Sequence, residues 1–478
     1  MSESPVSRKP LRFPPPRLLS PEQLQRIHEG AMRILLEQGI RVHYEPAREA
    51  AAQAGIRVTG DRVFPDRRLI DDLVKQTRAE GTGEQWEPEE ETEPTLRLTV
   101  PMYCEFIHDL QTDDVLPITQ GSLIEATKFV DTMDPRGVAG SAPGVPHDVP
   151  GELQRLKQYH ISAQYSRHGW RPNVEESSPR ALPFLFEMAE ALGHQPGYLT
   201  IYVISPLSLS RHSFEAVNSV RGKLESVGVS NMLSVGGTAP VRPADALALA
   251  AAEAMGATIV VGEHVKLPVS WGVRVCPFDP RTMAMSLGGP EEILFQRASD
   301  EVNAWYHGWA PGPPSGMVHS QAKLPDPQAA AERMCQMTFA AICGTRHFSG
   351  AGALSLDEVF SPEQLVIDCE IRDHVQRMIG GADFGCDVEA CAADVAAGIE
   401  GGFLGLESTA HLYRQIYWLP NLFERRRFTG WQEAGRPRLR DRAKEMVREQ
   451  LRKHEFELPA DVKGELDAVY ARAERDLA

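Results

Sequence analysis

The feature that most limits what this chain can become is a repeated alternation of short apolar runs with helical patterns. It is clearest over residues 231–274, which read as strand, glycine turn, helix, strand. The run NMLSV (231–235) is broken by Gly236-Gly237-Thr238-Ala239-Pro240. A helix is predicted over 243–255, with Pro243 in its first turn and an alanine-rich pattern behind it. Apolar residues return at 258–261 and 265–273. A strand buried on both faces that turns through glycine into a helix belongs to an α/β barrel or a doubly wound sheet. Such folds place ligands at the carboxyl ends of their strands, where two glycines let the backbone approach closely.

Along the chain, strands are predicted at 97–108, 137–141, 159–166, 198–205, 231–235, 265–273, 301–309 and 346–351. Helices are predicted after them at 121–133, 151–158, 178–191, 212–227, 243–255, 326–343 and 362–378. Eight strand positions match the count of a (β/α)₈ barrel. Ahead of them, Ser20 and Pro21 open an amphipathic helix ending at Gly39, with further helices expected at 45–54 and 66–76. Residues 1–18 read as an extended proline-bearing arm and 79–94 as an acidic connector. Past residue 382 the alternation stops and helices are predicted at 383–400, 403–417, 441–454 and 459–478. The expected organisation is an arm and helical cap (1–94), a (β/α)₈ TIM barrel (95–382) and a C-terminal helical extension (383–478).

A net charge of −16 argues against nucleic acid or an anionic membrane as the main partner and tilts toward cationic ligands. The seven cysteines form no CxxC pair, so neither a disulfide framework nor a metal site is expected. No apolar run reaches the length of a membrane span and the first residues lack a signal-peptide core, which places the expectation in the cytoplasm.

Side chains able to do chemistry gather at the predicted strand ends: Tyr103 and Glu105, Arg167, His168 and Trp170, Ser205, Trp271 and Arg274, Trp305 to Trp309, and Arg346 to Phe348. Aromatic faces with a carboxylate suit a methylated ammonium group, each ring contact being worth roughly 0.5–2 kcal/mol when desolvated. Arg and His residues suit a carboxylate at the other end of the same molecule. Glu105 and His347 are therefore the expected substrate contacts, with Tyr103, Trp271, Trp305 and Phe348 as the pocket wall. Gly236 and Gly237 form the loop expected to approach the ligand or a docked cofactor. Each His and aromatic taken singly also fits ordinary core packing. Glu105 stands apart, because a carboxylate inside the run YCEFI is costly without a partner.

The stretches LSPEQLQRIHEGAMRILLEQGIRV (19–42), GGTAPVRPADALALAAAEAM (236–255), SQAKLPDPQAAAERM (320–334), FSPEQLVIDCEI (360–371) and QIYWLPNLFERRRFTGWQEAG (415–435) carry a resemblance. Over most of its length the chain resembles the trimethylamine methyltransferase family of corrinoid-dependent methyltransferases. The resemblance implies a (β/α)₈ barrel and transfer of a methyl group from a methylated amine to the cobalt of a separate corrinoid protein. It also implies that no cofactor is bound tightly by this chain, the cobalamin residing on the partner. Founding members carry pyrrolysine at the barrel mouth, and Lys323 in SQAKLPD stands for that position as the expected catalytic residue. A lysine there resembles the pyrrolysine-free branch, which acts on quaternary amines such as glycine betaine. The expected partners are a methylated amine, a corrinoid protein and further copies of the chain. Two other readings stay open: a zinc-dependent corrinoid methyltransferase for another methyl donor, and a barrel that senses amines without turnover.

Overall fold

Residues 9–81, 93–170, 174 and 177–477 are described in the computed structural model. The first eight residues of the predicted arm and most of the acidic connector lie outside them. Residues 9–19 run along the protein surface, tied by Leu11 N–H to Ile379 O and by Phe13 N–H to Ile342 O (2.8 and 3.1 Å). Further on, Glu301 accepts the backbone N–H groups of Leu18 and Leu19 at 2.8 and 2.9 Å.

The first helix, Pro21–Gln38, begins as its sequence dictates. Ser20 accepts from Gln23 N–H while the Gln23 side chain accepts from Ser20 N–H, a reciprocal capping box. Helices Glu45–Gln53 and Arg67–Glu80 follow, the latter capped by Asp66. These cap helices share a core with the long helix Pro243–Val265, whose Gly256 leaves the space that the Leu35 side chain fills. That long helix is apolar enough to span a membrane by composition, and here it is packed inside the protein.

The strands are short and mostly parallel. Val269–Trp271, Ser226–Ser230 and Tyr198–Tyr202 form one three-stranded sheet in that order. His347–Ser349, Arg97–Thr99 and Val138–Ala139 form another, extended by a parallel bridge from Met317 to Ser349. Leu233–Val235 pairs with Val275–Asp279. The sheets remain small and separate, so the observed class is mixed α/β and the ring of strands is not closed.

Four predicted elements are corrected. Residues 159–166 complete the helix Gly151–Tyr165, whose Leu153, Leu156, Tyr159 and Ala163 face the core at helical spacing. Residues 301–308 belong to the helix Pro290–His307 and its left-handed cap Gly308. The aromatic cluster WYHGW favours either state locally, and a buried Arg297–Glu301 pair at i, i+4 (3.2 Å) is satisfied only by the helix. Residues 258–261 continue the long helix, because a helix buried all round shows no amphipathic period to separate it from a strand. Residues 226–230 form a strand, its first two residues lying where a helix tail was predicted. Gly228 gives room there to the Tyr198 ring, whose hydroxyl a Cβ would meet at 2.0 Å.

The C-terminal helices occur as predicted. Leu439–Leu451 buries Ala443 and Val447, and Ala460–Leu477 buries Leu466, Val469, Tyr470 and Ala473 against the body of the fold. Val388–Gly401 differs: only Gly398 is buried, and Val388, Val395 and Ile399 stay exposed.

Candidate active site

The loops leaving the carboxyl ends of the parallel strands are bonded to one another around one end of the fold. After Arg97–Thr99, the backbone of Cys104 exchanges hydrogen bonds with Pro143 and Val145 (3.2 and 3.0 Å). Glu105 and Phe106 N–H groups donate to Glu358 O, each at 3.0 Å. The loop after His347–Ser349 returns Ser355 N–H to Ala322 O and Leu356 N–H to Ser320 O, each at 2.8 Å. Gln321 then reaches Met285 O at 2.5 Å, and Arg274 N–H donates to Asn231 Oδ1 at 3.2 Å.

One buried pair locks the part of this arrangement formed by the last two loops. Arg333 lies 3.1 Å from Asp368, both side chains being sealed from solvent. Arg333 donates to Val318 O (3.2 Å), Gly350 O (3.1 Å) and Ala353 O, joining those loops. Asp368 accepts Gly352 N–H (2.7 Å) and Gln364 Nε2–H (2.8 Å). Burial pushes the Asp368 carboxyl up, and Arg333 opposes the shift.

On these linked loops, Lys323 Nζ donates to Ser355 Oγ at 2.8 Å, and Ser355 Oγ donates to Glu358 Oε2 at 2.6 Å. Lys323, Glu105, Asp357 and Glu358 are exposed together on these linked loops. The rim beyond carries exposed apolar side chains, Met232 (45%), Val241 (75%) and Met283 (74%). Gly236 turns this rim at φ +90°, a conformation that side chains rarely adopt.

Beneath the rim sit two buried carboxylates. Glu253 is fully buried and accepts from Leu207 N–H (2.8 Å) and Ser205 Oγ (2.9 Å). Burial raises its carboxyl to about 7 against these hydrogen bonds. Glu292 accepts from Gly288 N–H at 2.6 Å and from His319 Nδ1–H at 2.5 Å. Burial pushes the Cys276 thiol up, and the nearby Arg274 guanidinium opposes the shift.

The predicted site residues divide. Tyr103, Glu105, Lys323, Gly236 and Gly237 lie on the loops just described. Tyr103 faces Arg155, with the guanidinium carbon 5.7 Å from the ring centre. Glu105 is exposed, not buried as its apolar neighbours suggested, because its side chain points off a short loop where a strand was expected. Trp271 and Trp305 are brought together elsewhere, around Tyr306 (ring centres 5.1 and 4.9 Å). Trp271 donates to Thr77 of the cap, and Arg78 lies 4.2 Å over the Trp305 ring. Both thus pack between the helical cap and the helix Pro290–His307. His347 begins its strand, beside Arg97, and Phe348 is buried in the core. Both were predicted at a carboxyl end that Ser349 occupies. Arg167 and His168 pair with Asp131 and Asp134 (3.0 and 2.7 Å).

Sequence reasoning missed His319 and Glu292. Nothing local marks His319 in the run VHSQ, and its partner lies 27 positions away. The remaining cluster with metal-ligand side chains among the described residues is His108, Asp113 and Glu363. Its carboxylates are already paired with Arg440 (2.6 and 2.8 Å) and Lys444 (2.6 Å).

A family model for trimethylamine methyltransferase (MTTB) matches residues 3–478. Glycine betaine methyltransferase of Desulfitobacterium hafniense is 26% identical over 434 residues, covering 88% of this chain and 89% of that protein. Trimethylamine methyltransferase MttB2 of Methanosarcina mazei is 30% identical over 277 residues, covering 57% of this chain and 54% of that protein, about half its length. Among solved structures, the Methanosarcina barkeri monomethylamine methyltransferase (MtmB) aligns over 92% of this chain and 89% of that one. Its TM-score is 0.43 at 10% identity.

Proposed function

Because the chain belongs to the trimethylamine methyltransferase family, and is thereby a methyltransferase, we propose that it moves a methyl group from a quaternary amine to the cobalt(I) of a separate corrinoid protein. The substrate class is that of betaines. The observation that carries this reading is the acidic rim: Glu105, Asp357 and Glu358 exposed on mutually bonded loops, with Lys323 held among them through Ser355. We take the parallel strands as arcs of a (β/α)₈ barrel, supported by the in-register pairing of Arg97–Thr99 with His347–Ser349, which fall in the first and last of the eight predicted strand positions. The rim would then be its mouth.

The corrinoid supplies the electron pair that attacks the methyl carbon. The C–N bond breaks with its pair going to nitrogen, and a neutral tertiary amine leaves. A quaternary nitrogen has no proton to gain or lose in this step, so the chain needs no general acid. Its work is to attract the cation, orient one methyl group outward and keep water from the reacting carbon. Glu105 and Tyr103 attract the cation. Lys323, tethered at Nζ to Ser355, forms part of the wall. The exposed Met232, Val241 and Met283 fit a partner that docks face-on over the mouth. The apolar face of Val388–Gly401, with Val395 and Ile399 exposed, is assigned to self-association.

Glu105→Gln removes one exposed negative charge while keeping its shape. Calorimetry should find quaternary-amine affinity reduced roughly three- to tenfold, as for about 1 kcal/mol of charge attraction in water. Unchanged affinity would remove Glu105 from the site.

A further inference from the structure

His319 is held more rigidly than its surroundings require. Its backbone N–H donates to Gln336 Oε1 and its carbonyl accepts from Gln336 Nε2–H, both at 3.0 Å. The same amide reaches Gly288 O at 3.3 Å. Its ring is fixed through Nδ1–H to Glu292 at 2.5 Å, both side chains being over nine-tenths buried. Gly288 closes over this pair at φ +99°, and a Cβ there would come within 3.2 Å of His319 O. Every bonding position of the residue is thus committed except one. Among the described residues Nε2 meets no protein partner, yet it is not among the sealed polar atoms.

That free nitrogen belongs to the loop that carries Lys323, two residues beyond the bridge from Met317 to Ser349. Arg274, on the neighbouring loop, adds a cation beside Cys276. Ser320, next to His319, accepts the Leu356 N–H at 2.8 Å, so the loop with the fixed imidazole is bonded directly to the loop bearing Asp357 and Glu358. We propose that His319 donates Nε2–H to an anionic group at the end of the substrate opposite its methylated nitrogen. The site then selects a methylated amine bearing a carboxylate over one bearing none. This rests on the methyltransferase reading above and adds to it the residue that sets specificity. Demethylating a quaternary amine moves no proton, so a preoriented imidazole here has a binding task, with Glu292 holding the ring as a positioning residue.

The test compares two ligands with the same cationic head, glycine betaine and tetramethylammonium, by calorimetry on the full chain. His319→Gln should weaken betaine binding roughly ten- to hundredfold, the range of a hydrogen bond to a charged group. Tetramethylammonium binding should stay within about twofold of the unmodified protein. Glu292→Gln keeps the fold's geometry and should give a smaller loss confined to betaine, which preserves the comparison should His319→Gln not fold. Equal losses for both ligands, or none for betaine, would overturn the proposal. Methyl transfer by the unmodified protein is measured alongside. Transfer with no ligand discrimination in the variants removes this inference and leaves the methyltransferase reading standing. Ligand discrimination without transfer does the reverse.

Discussion

Asp368→Ala is expected to cost about 3–5 kcal/mol of folding stability, measured by urea unfolding, because it strands a guanidinium in a dry interior. Arg333 and Asp368 are sealed from solvent and 3.1 Å apart. With the carboxylate gone, Arg333 retains only carbonyl partners at Val318, Gly350 and Ala353. Gly352 N–H loses its acceptor as well. A double variant, Arg333→Met with Asp368→Leu, should recover most of the loss, since no charge then remains uncompensated. The same change should reduce methyl transfer beyond its effect on stability, because Arg333 ties together the loops bearing His319, Lys323 and Ser355. A loss below about 1 kcal/mol for Asp368→Ala would mean that Arg333 finds water or another anion there.

Glu253→Gln is expected to flatten the pH dependence of stability. Burial raises the Glu253 carboxyl from an ordinary 4.5 to about 7. A folded-state value above the unfolded one means that the native chain holds this proton more tightly. The stabilisation is complete below about pH 4.5 and is lost as pH rises through about 7. The full swing is roughly 3 kcal/mol, at about 1.4 kcal/mol per unit. Asp300, raised to about 6 by burial, acts in the same direction and remains in the variant. Urea unfolding at pH 5, 6, 7 and 8 should therefore show a steep decline in the unmodified protein and a shallower one in Glu253→Gln. Parallel declines would place the titration elsewhere.

What could be read from the residues divides by how local its cause is. Ser20 with Pro21, Asp66, and Ser361 with Pro362 mark helix starts because a cap is local, one side chain accepting a backbone N–H three residues on. YLTIY was legible as a strand for the same reason, its apolar content being bounded by turn residues. Residues 258–261 were not, because burial on all sides erases the period that separates helix from strand, and 301–308 were not, because the cluster WYHGW suits either state locally. Glu105 and Tyr103 were legible as residues near a strand end, and Gly236 as a forced turn. Trp271 and Trp305 were misplaced because nothing local shows that the helical cap covers them. His319 was invisible, since its significance comes from Glu292 and Gln336, which only the fold brings to it.

The most direct measurement mixes the purified protein with a corrinoid protein reduced to cobalt(I) and follows the cobalt absorbance as methylated amines are added. The expected result with glycine betaine is stoichiometric methylation of the corrinoid and release of dimethylglycine, with trimethylamine giving far slower change. Transfer from trimethylamine in preference to betaine, or no transfer from any methylated amine, would contradict it.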